Sequence, residues 1–238
     1  MTLALRQLEP ELLDTLPAID PRAQRSRRDL RLVNVLMGHR ALLRRCLYKA
    51  LGTQTPQSIV ELGAGDGTLM LSLARDLAGA WSGVSVLLVD RQPAVQSATL
   101  AAVADIGWHI EYTQAELMYW LRQRPRVDVM LANLVMHHFN DTQLRELFSN
   151  LAEVTDLFIA AEPRRSTLAL LGSKALGWLG CNDVTRHDAV VSVRAGFTGR
   201  ELSNLWPEAA DWQLTERPAG LFSHLFLAQR IGSQSDPG

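Results

Sequence analysis

The chain has 238 residues, 47% of them apolar, with a formal net charge of −1 at pH 7, which suits one well-buried domain because single cores stop growing at about 250–300 residues. Near-neutral charge lacks the basic footprint of a nucleic-acid binder, and no apolar run approaches the roughly 20 residues of a membrane span, so neither nucleic acid nor integral membrane association is expected. The two cysteines, Cys46 and Cys181, stand outside any CxxC or Cys/His spacing; this excludes a disulfide framework or structural zinc site and fits a reducing cytoplasm.

In chain order, residues 1–52 read as an N-terminal helical extension or lid. After a Pro-containing break at 17–21, Leu30, Val33, Met37, Ala41 and Leu47 recur at near-helical spacing. From Ser58 onward, expected strands at 58–62, 84–89, 108–112, 127–132 and 157–161 alternate with helices near 66–78, 93–104, 115–123 and 141–152, with Pro93 and Asp141 at helix starts. Such alternation means βαβ units: an α/β, Rossmann-like doubly wound sheet of about seven strands, mostly parallel. The runs SIVEL, VSVLLV and VDVMLA are almost wholly apolar, as strands covered on both faces should be.

Past the fifth strand, 166–180 reads as one apolar helix, 181–198 shows no clear periodicity and 199–206 reads as a short helix. An insertion over about 164–198 is expected to cover a pocket. DWQLTER and LFSHLFLAQ, separated by Pro218 and Gly220, read as a closing hairpin at the sheet edge, which makes the last strand antiparallel. The main domain is placed at 53–230, followed by a disordered tail at 231–238.

The stretch IVELGAGDGTLMLSLA (59–74) takes a strand through glycines into a helix, which aims backbone N–H groups and the positive helix end at a polar ligand. A nucleotide triphosphate would need Lys-Ser/Thr after the glycines, and none is present. A dinucleotide fingerprint would need its third glycine at Thr68, so an NAD(P)-dependent oxidoreductase remains the second enzyme reading; no Tyr-x-x-x-Lys pair supports it. A catalytically silent partner protein of the same fold is the non-enzyme reading. Asp90, closing the second strand, has the two acceptor oxygens that a ribose diol needs.

Three motifs in order, E-L-G-A-G-D-G at Glu61–Gly67, L-L-V-D ending at Asp90 and D-V-M-L-A-N at Asp128–Asn133, resemble those of class I S-adenosylmethionine-dependent methyltransferases, over about residues 58–230. The resemblance implies that Glu61, Gly63, Ala64 and Gly65 hold the methionine and ribose portion of S-adenosylmethionine, with side chains excluded at Gly63 and Gly65 by close approach. It implies Asp90 on the ribose hydroxyls, Arg91 beside the adenine, Gln114 and Ala115 near the adenine amine, and Asn133 bordering the sulfonium. Gln114 replaces the family's usual acid. More loosely, VNVLMGHR, ANLVMHHF, EPRRS and HDAVVSVRAGFTGREL resemble a bacterial small-molecule subgroup associated with secondary metabolism, from which Glu162-Pro163 departs. The implied reaction is methyl transfer to an oxygen, less readily a carbon, of a small aromatic or polyketide-like acceptor; a homodimer stays open.

Ligands of open α/β sheets sit beyond the carboxyl ends of the strands. Of the residues there, His138 is the first choice for a base that deprotonates a phenol and His137 the second, because an imidazole near pKa 6.5 suits neutral pH. Arg164, His187, Asp188 and Arg194 are the candidate acceptor-binding residues. No metal is expected, since adjacent histidines on a regular helix diverge by about 100°. The arginines at 22, 25, 27, 28 and 31 read as a solvated helix face, with contact to an anionic membrane or a clamp on the cofactor carboxylate as alternatives.

Overall fold

Hydrophobic alternation at period two decides how the sheet divides its two faces. In a computed structural model, which describes residues 3–17, 19–123, 126–208 and 210–232, Ile59, Val129, Leu131, Leu157 and Ile159 enter one core cluster. Their neighbours Val60, Leu62, Met130, Ala132, Phe158 and Ala160 enter the other, as strands buried on both faces require.

The described elements run α1 (Leu12–Thr15), α2 (Pro21–Met37), α3 (His39–Leu51), β1 (Ser58–Leu62), α4 (Thr68–Leu77), β2 (Ser85–Asp90), α5 (Ser97–Ala104), β3 (His109–Gln114), α6 (Leu117–Leu121) and β4 (Val127–Asn133). A 3-10 turn (Met136–His138) then leads into α7 (Asp141–Val154), β5 (Thr155–Pro163), α8 (Thr167–Ala175), a second 3-10 turn (Leu176–Leu179), α9 (Asp183–Ala195), β6 (Trp212–Ala219) and β7 (Ser223–Arg230). The sheet has seven strands in the order β3-β2-β1-β4-β5-β7-β6. β1 to β5 are mutually parallel, and β7 lies antiparallel between β5 and β6. Chain direction away from β1 reverses between β1 and β4, the switch point at which such sheets open a crevice.

α4 and α3 cover one face, their Leu73, Ala74, Leu77, Leu43 and Leu47 sharing a cluster. α7 covers the other with Leu144, Leu147, Phe148 and Leu151, and starts where expected, with Asn140 and Gln143 forming a reciprocal cap.

Several boundaries differ from the sequence reading. The extension is not continuous helix: α1 is one turn, and Gly38 at φ +68° separates α2 from α3. Pro93 does not open α5, which begins at Ser97. The apolar run 166–180 tightens into 3-10 geometry after Ala175 and stops at left-handed Gly180. Residues 183–195 form the 13-residue α9 that periodicity missed. Its buried positions Val184, Thr185, Asp188, Val191, Val193 and Ala195 are spread around the axis, because α1, α2 and α8 all pack on it. Residues 199–206 are successive turns, not a helix. The expected tail lies, from residue 233, outside the described residues.

Candidate functional site: a glycine-loop cleft beside an apolar chamber

The turn after β1 is set by backbone geometry. Gly63, Gly65 and Gly67 all have positive φ, at +66°, +55° and +74°. Gly63 N and Ala64 N both donate to Val89 O, which ties the turn to the end of β2. A Cβ on Gly63 would sit 2.3 Å from Val135 Cγ2, so the protein's own turn after β4, rather than a ligand, excludes a side chain there. At Gly65 a Cβ would meet nothing within 4 Å. That open side faces the cleft.

Asp90 locks the loop, with Oδ2 accepting from Gly65 N at 2.8 Å and Oδ1 from Gln92 N at 2.7 Å. Burial raises its pKa against those two hydrogen bonds. Asp66 caps α4 through Thr68 N. Glu61 is 2% exposed, and its Oε2 has no hydrogen-bond partner. Burial first, then the charges of Asp66 and Asp90, push its carboxyl up to about 8. An unpartnered buried carboxyl oxygen beside two further acids is a place that calls for a cation.

The cleft holding this loop has a volume of about 230 Å³ and is bordered by Glu61, Gly63, Ala64, Gly65, Asp90, Arg91 and Asn133. A neighbouring space of about 620 Å³ continues along Asp90, Arg91, Ala115 and Val135. Gln114 is exposed and borders neither space; its Nε2 donates to Arg91 O. Arg91 pairs with Asp14 at 3.0 Å.

The third space is an apolar chamber of about 380 Å³ between α2, α8 and α9, bordered by Leu30, Val33, Met37, Leu176, Val193 and Phe222 among others. Of the four expected acceptor-binding residues only Asp188 borders it, and its carboxylate is already engaged by Leu12 N, Leu13 N and His187. Arg194 pairs with Glu9, and Arg164 bridges to Phe197 on the outer side of β5.

The two histidines border the cleft and the neighbouring space but not the chamber. The turn after β4 contains Leu134 at φ +60°, a conformation costly for a branched side chain. The buried carboxylate of Glu162 holds this turn by accepting from Val135 N, Met136 N and His137 N. Its Oε2 also lies 2.8 Å from His137 Nδ1, and His137 Nε2 lies 3.3 Å from Glu11 Oε1. Burial opposes charge on His137, but the hydrogen bonds to Glu11 and Glu162 outweigh it and raise the ring to about 9. With both nitrogens engaged, His137 has no free lone pair for a base.

His138 differs: its side chain is 33% exposed, 4.0 Å from Glu11 Oε2 and 3.7 Å from Asp14 Oδ2. Burial and then the charge of His137 lower its pKa. The two rings are tilted against each other with centroids 4.3 Å apart, so the adjacent side chains converge in this turn. Glu11, His137 and His138 each place one ligand atom within 4.8 Å of the others, so the angular ground for excluding a metal does not hold.

Sequence reasoning missed Glu11, Asp14 and the turn-holding role of Glu162. The first two sit in LEPELLD, whose short irregular course carries no periodic signal. The arginines are not a plain solvated face. Arg22 pairs with Asp183, Arg31 with Asp66 and Arg27 with Gln92, which fastens α2 to α9 and to the rim of the cleft.

Residues 59–156 match a family model described as a methyltransferase domain. No curated protein matches the sequence. Among solved structures, an O-methyltransferase family protein from Burkholderia thailandensis superposes with TM-score 0.60 at 18% identity over 91% of this chain; the match spans only 62% of that protein. The plantazolicin methyltransferase BamL, in complex with a triazolic desmethylPZN analog and SAH, gives 0.62 at 10% identity, covering 91% of this chain and 92% of that one. Magnesium protoporphyrin IX methyltransferase from Synechocystis PCC 6803, with bound SAH, gives 0.51 at 14%, covering 82% of each. Residues 59–156, less than half of the chain, are thus similar to a methyltransferase domain, and the chain as a whole shares the fold of solved methyltransferases, several of them with SAH bound.

Proposed function

We propose that the protein methylates a hydroxyl oxygen of a small aromatic or polyketide-like acceptor whose body lies in the apolar chamber. One observation carries this: the glycine-loop cleft and the chamber share Glu11, Leu13, Leu30, Leu134 and Ser192 as common walls. A cofactor in one would therefore meet an acceptor in the other without crossing solvent.

Glu61 and the loop fit S-adenosylmethionine because the unpartnered Oε2 can accept from the methionyl ammonium, and Asp90 can accept from the ribose. The bound cofactor supplies an activated methyl group. The chain's own contributions are positioning, exclusion of water by the apolar walls, and removal of the hydroxyl proton. His138 takes that proton: its lowered pKa keeps the ring neutral at physiological pH, and its side chain borders both polar spaces.

Calorimetry with SAH and with NAD, followed by a screen of phenolic acceptors against labelled cofactor, tests the reading. Micromolar SAH binding with label transferred to an ether oxygen is expected. Tight NAD binding with no response to SAH would sink it.

A further inference from the structure

We propose that Glu11, His137 and His138 form a binding site for one divalent transition-metal ion of the zinc or cobalt type. Two imidazoles and one carboxylate are a donor set that such ions favour. Zinc–ligand bonds of about 2.0–2.1 Å put the ligand atoms of a tetrahedral site about 3.3 Å apart. His137 Nε2 and Glu11 Oε1 already stand 3.3 Å apart, His138 Nε2 lies 4.0 Å from Glu11 Oε2, and the whole set fits within 4.8 Å. Small side-chain rotations close the remaining gap.

The surroundings are those of a supported ligand. Glu162 lies against His137 Nδ1 at 2.8 Å and is itself fixed by three backbone N–H groups. A carboxylate in that place orients the ring, and the ion would displace the proton from Nε2 to make it the ligating atom. Ser192 Oγ donates to Glu11 Oε1, which steadies the third ligand. Glu11 and Glu162 flank one ring, so a divalent ion between neutral imidazoles balances both carboxylates.

The ion's position would be at the junction of the three spaces, because Glu11 borders all of them. Its use there rests on the methyl-transfer reading; its binding does not. An open coordination position would take the acceptor's hydroxyl oxygen and lower its pKa, so that its proton would leave through the polar space on the His138 side and the ion would hold the oxygen for methyl transfer. In that form His138 is a ligand and the ion replaces it as the means of ionising the acceptor.

The test uses the full chain, stripped with a chelator, titrated with Co²⁺ followed by visible absorption, and then with Zn²⁺ in competition. One ion per chain is expected, with Glu11→Gln and His138→Ala each weakening binding by about 100-fold. Glu162→Gln should weaken it by about 10- to 100-fold. Circular dichroism and SAH affinity, measured on every variant, separate loss of the site from loss of the fold. Absence of a stoichiometric ion in protein that binds SAH overturns the proposal and leaves the function standing. So does wild-type affinity in both Glu11→Gln and His138→Ala, the mark of an adventitious ion only. Ion binding lost in these variants, in a protein that never binds SAH, supports the site and overturns the methyl-transfer reading.

Discussion

Glu61→Gln replaces an ionisable group by a neutral one of the same shape, at a carboxyl that is 2% exposed with one oxygen unpartnered. Its folded pKa of about 8 stands above the ordinary carboxyl value of 4.5, burial being the main cause and Asp66 and Asp90 adding to it. The folded state therefore keeps this proton between those pH values while the unfolded state loses it. Stability is highest below the unfolded pKa and falls as pH rises toward the folded one, by about 1.4 kcal/mol per pH unit and at most 4–5 kcal/mol in all. Glutamine carries none of this dependence. Urea unfolding of the cofactor-free protein should show Glu61→Gln gaining several kcal/mol relative to wild type between pH 5 and pH 9. Binding supplies a second readout. If the methionyl ammonium pairs with Glu61, SAH binding near pH 7 expels about 0.9 proton per site from wild type, which appears as a dependence of calorimetric heat on the buffer's ionisation enthalpy. Glu61→Gln should lose that dependence and bind more weakly by about 1.5–3 kcal/mol. A stability difference flat with pH, together with buffer-independent heats in wild type, would refute both the raised pKa and the ammonium contact.

Asp90→Ala should weaken SAH binding by about 1.5–3 kcal/mol, read by calorimetry, and should also loosen the loop that Asp90 ties through Gly65 and Gln92; unchanged affinity would place the ribose elsewhere. His138→Ala should keep SAH affinity nearly intact while kcat on the true acceptor falls about 100-fold or more, and wild-type turnover in rapid quench would remove His138 from the chemistry. Against burial, which opposes its charge, His137 is held at about 9 by Glu11 and Glu162, above the ordinary imidazole value of 6.5. That stability is fully present below pH 6.5 and is lost as pH rises to about 9. Glu162→Gln should cost about 3–5 kcal/mol at pH 6 and flatten this portion of the urea-midpoint profile; an unaltered profile would mean that the pair carries no charge.

Strong periodicity made most of the architecture readable. Ile59 to Leu62, Ser85 to Asp90 and Val127 to Asn133 carry apolar runs that only doubly covered strands require, and the glycines between β1 and α4 declare a turn by their φ demands. α9 was unreadable for the opposite reason. A helix packed on several sides distributes its buried residues around its axis, and its Thr185 and Asp188 are interior because they bond to α1 and α2. The glycine-loop cleft was legible because one contiguous loop and the ends of adjacent strands build it. The histidine cluster was half legible: His137 and His138 stand out in the sequence, but their shared geometry depends on Glu162, 24 residues beyond His138, and on Glu11, more than a hundred residues before them. Nothing local encodes those distances. Polarity near strand ends marked His187 and Arg194, whose side chains pair with Asp188 and Glu9.

The N-terminal strap fastens the histidine cluster to the walls around it. Arg6 holds the carbonyls of His137, Phe139 and Ala195, Leu12 and Leu13 hang from Asp188, and between them Glu11 reaches the histidines. The same segment, with Asp14 on Arg91, lines both polar spaces, so displacing it would part Glu11 from both rings and widen those spaces in one movement.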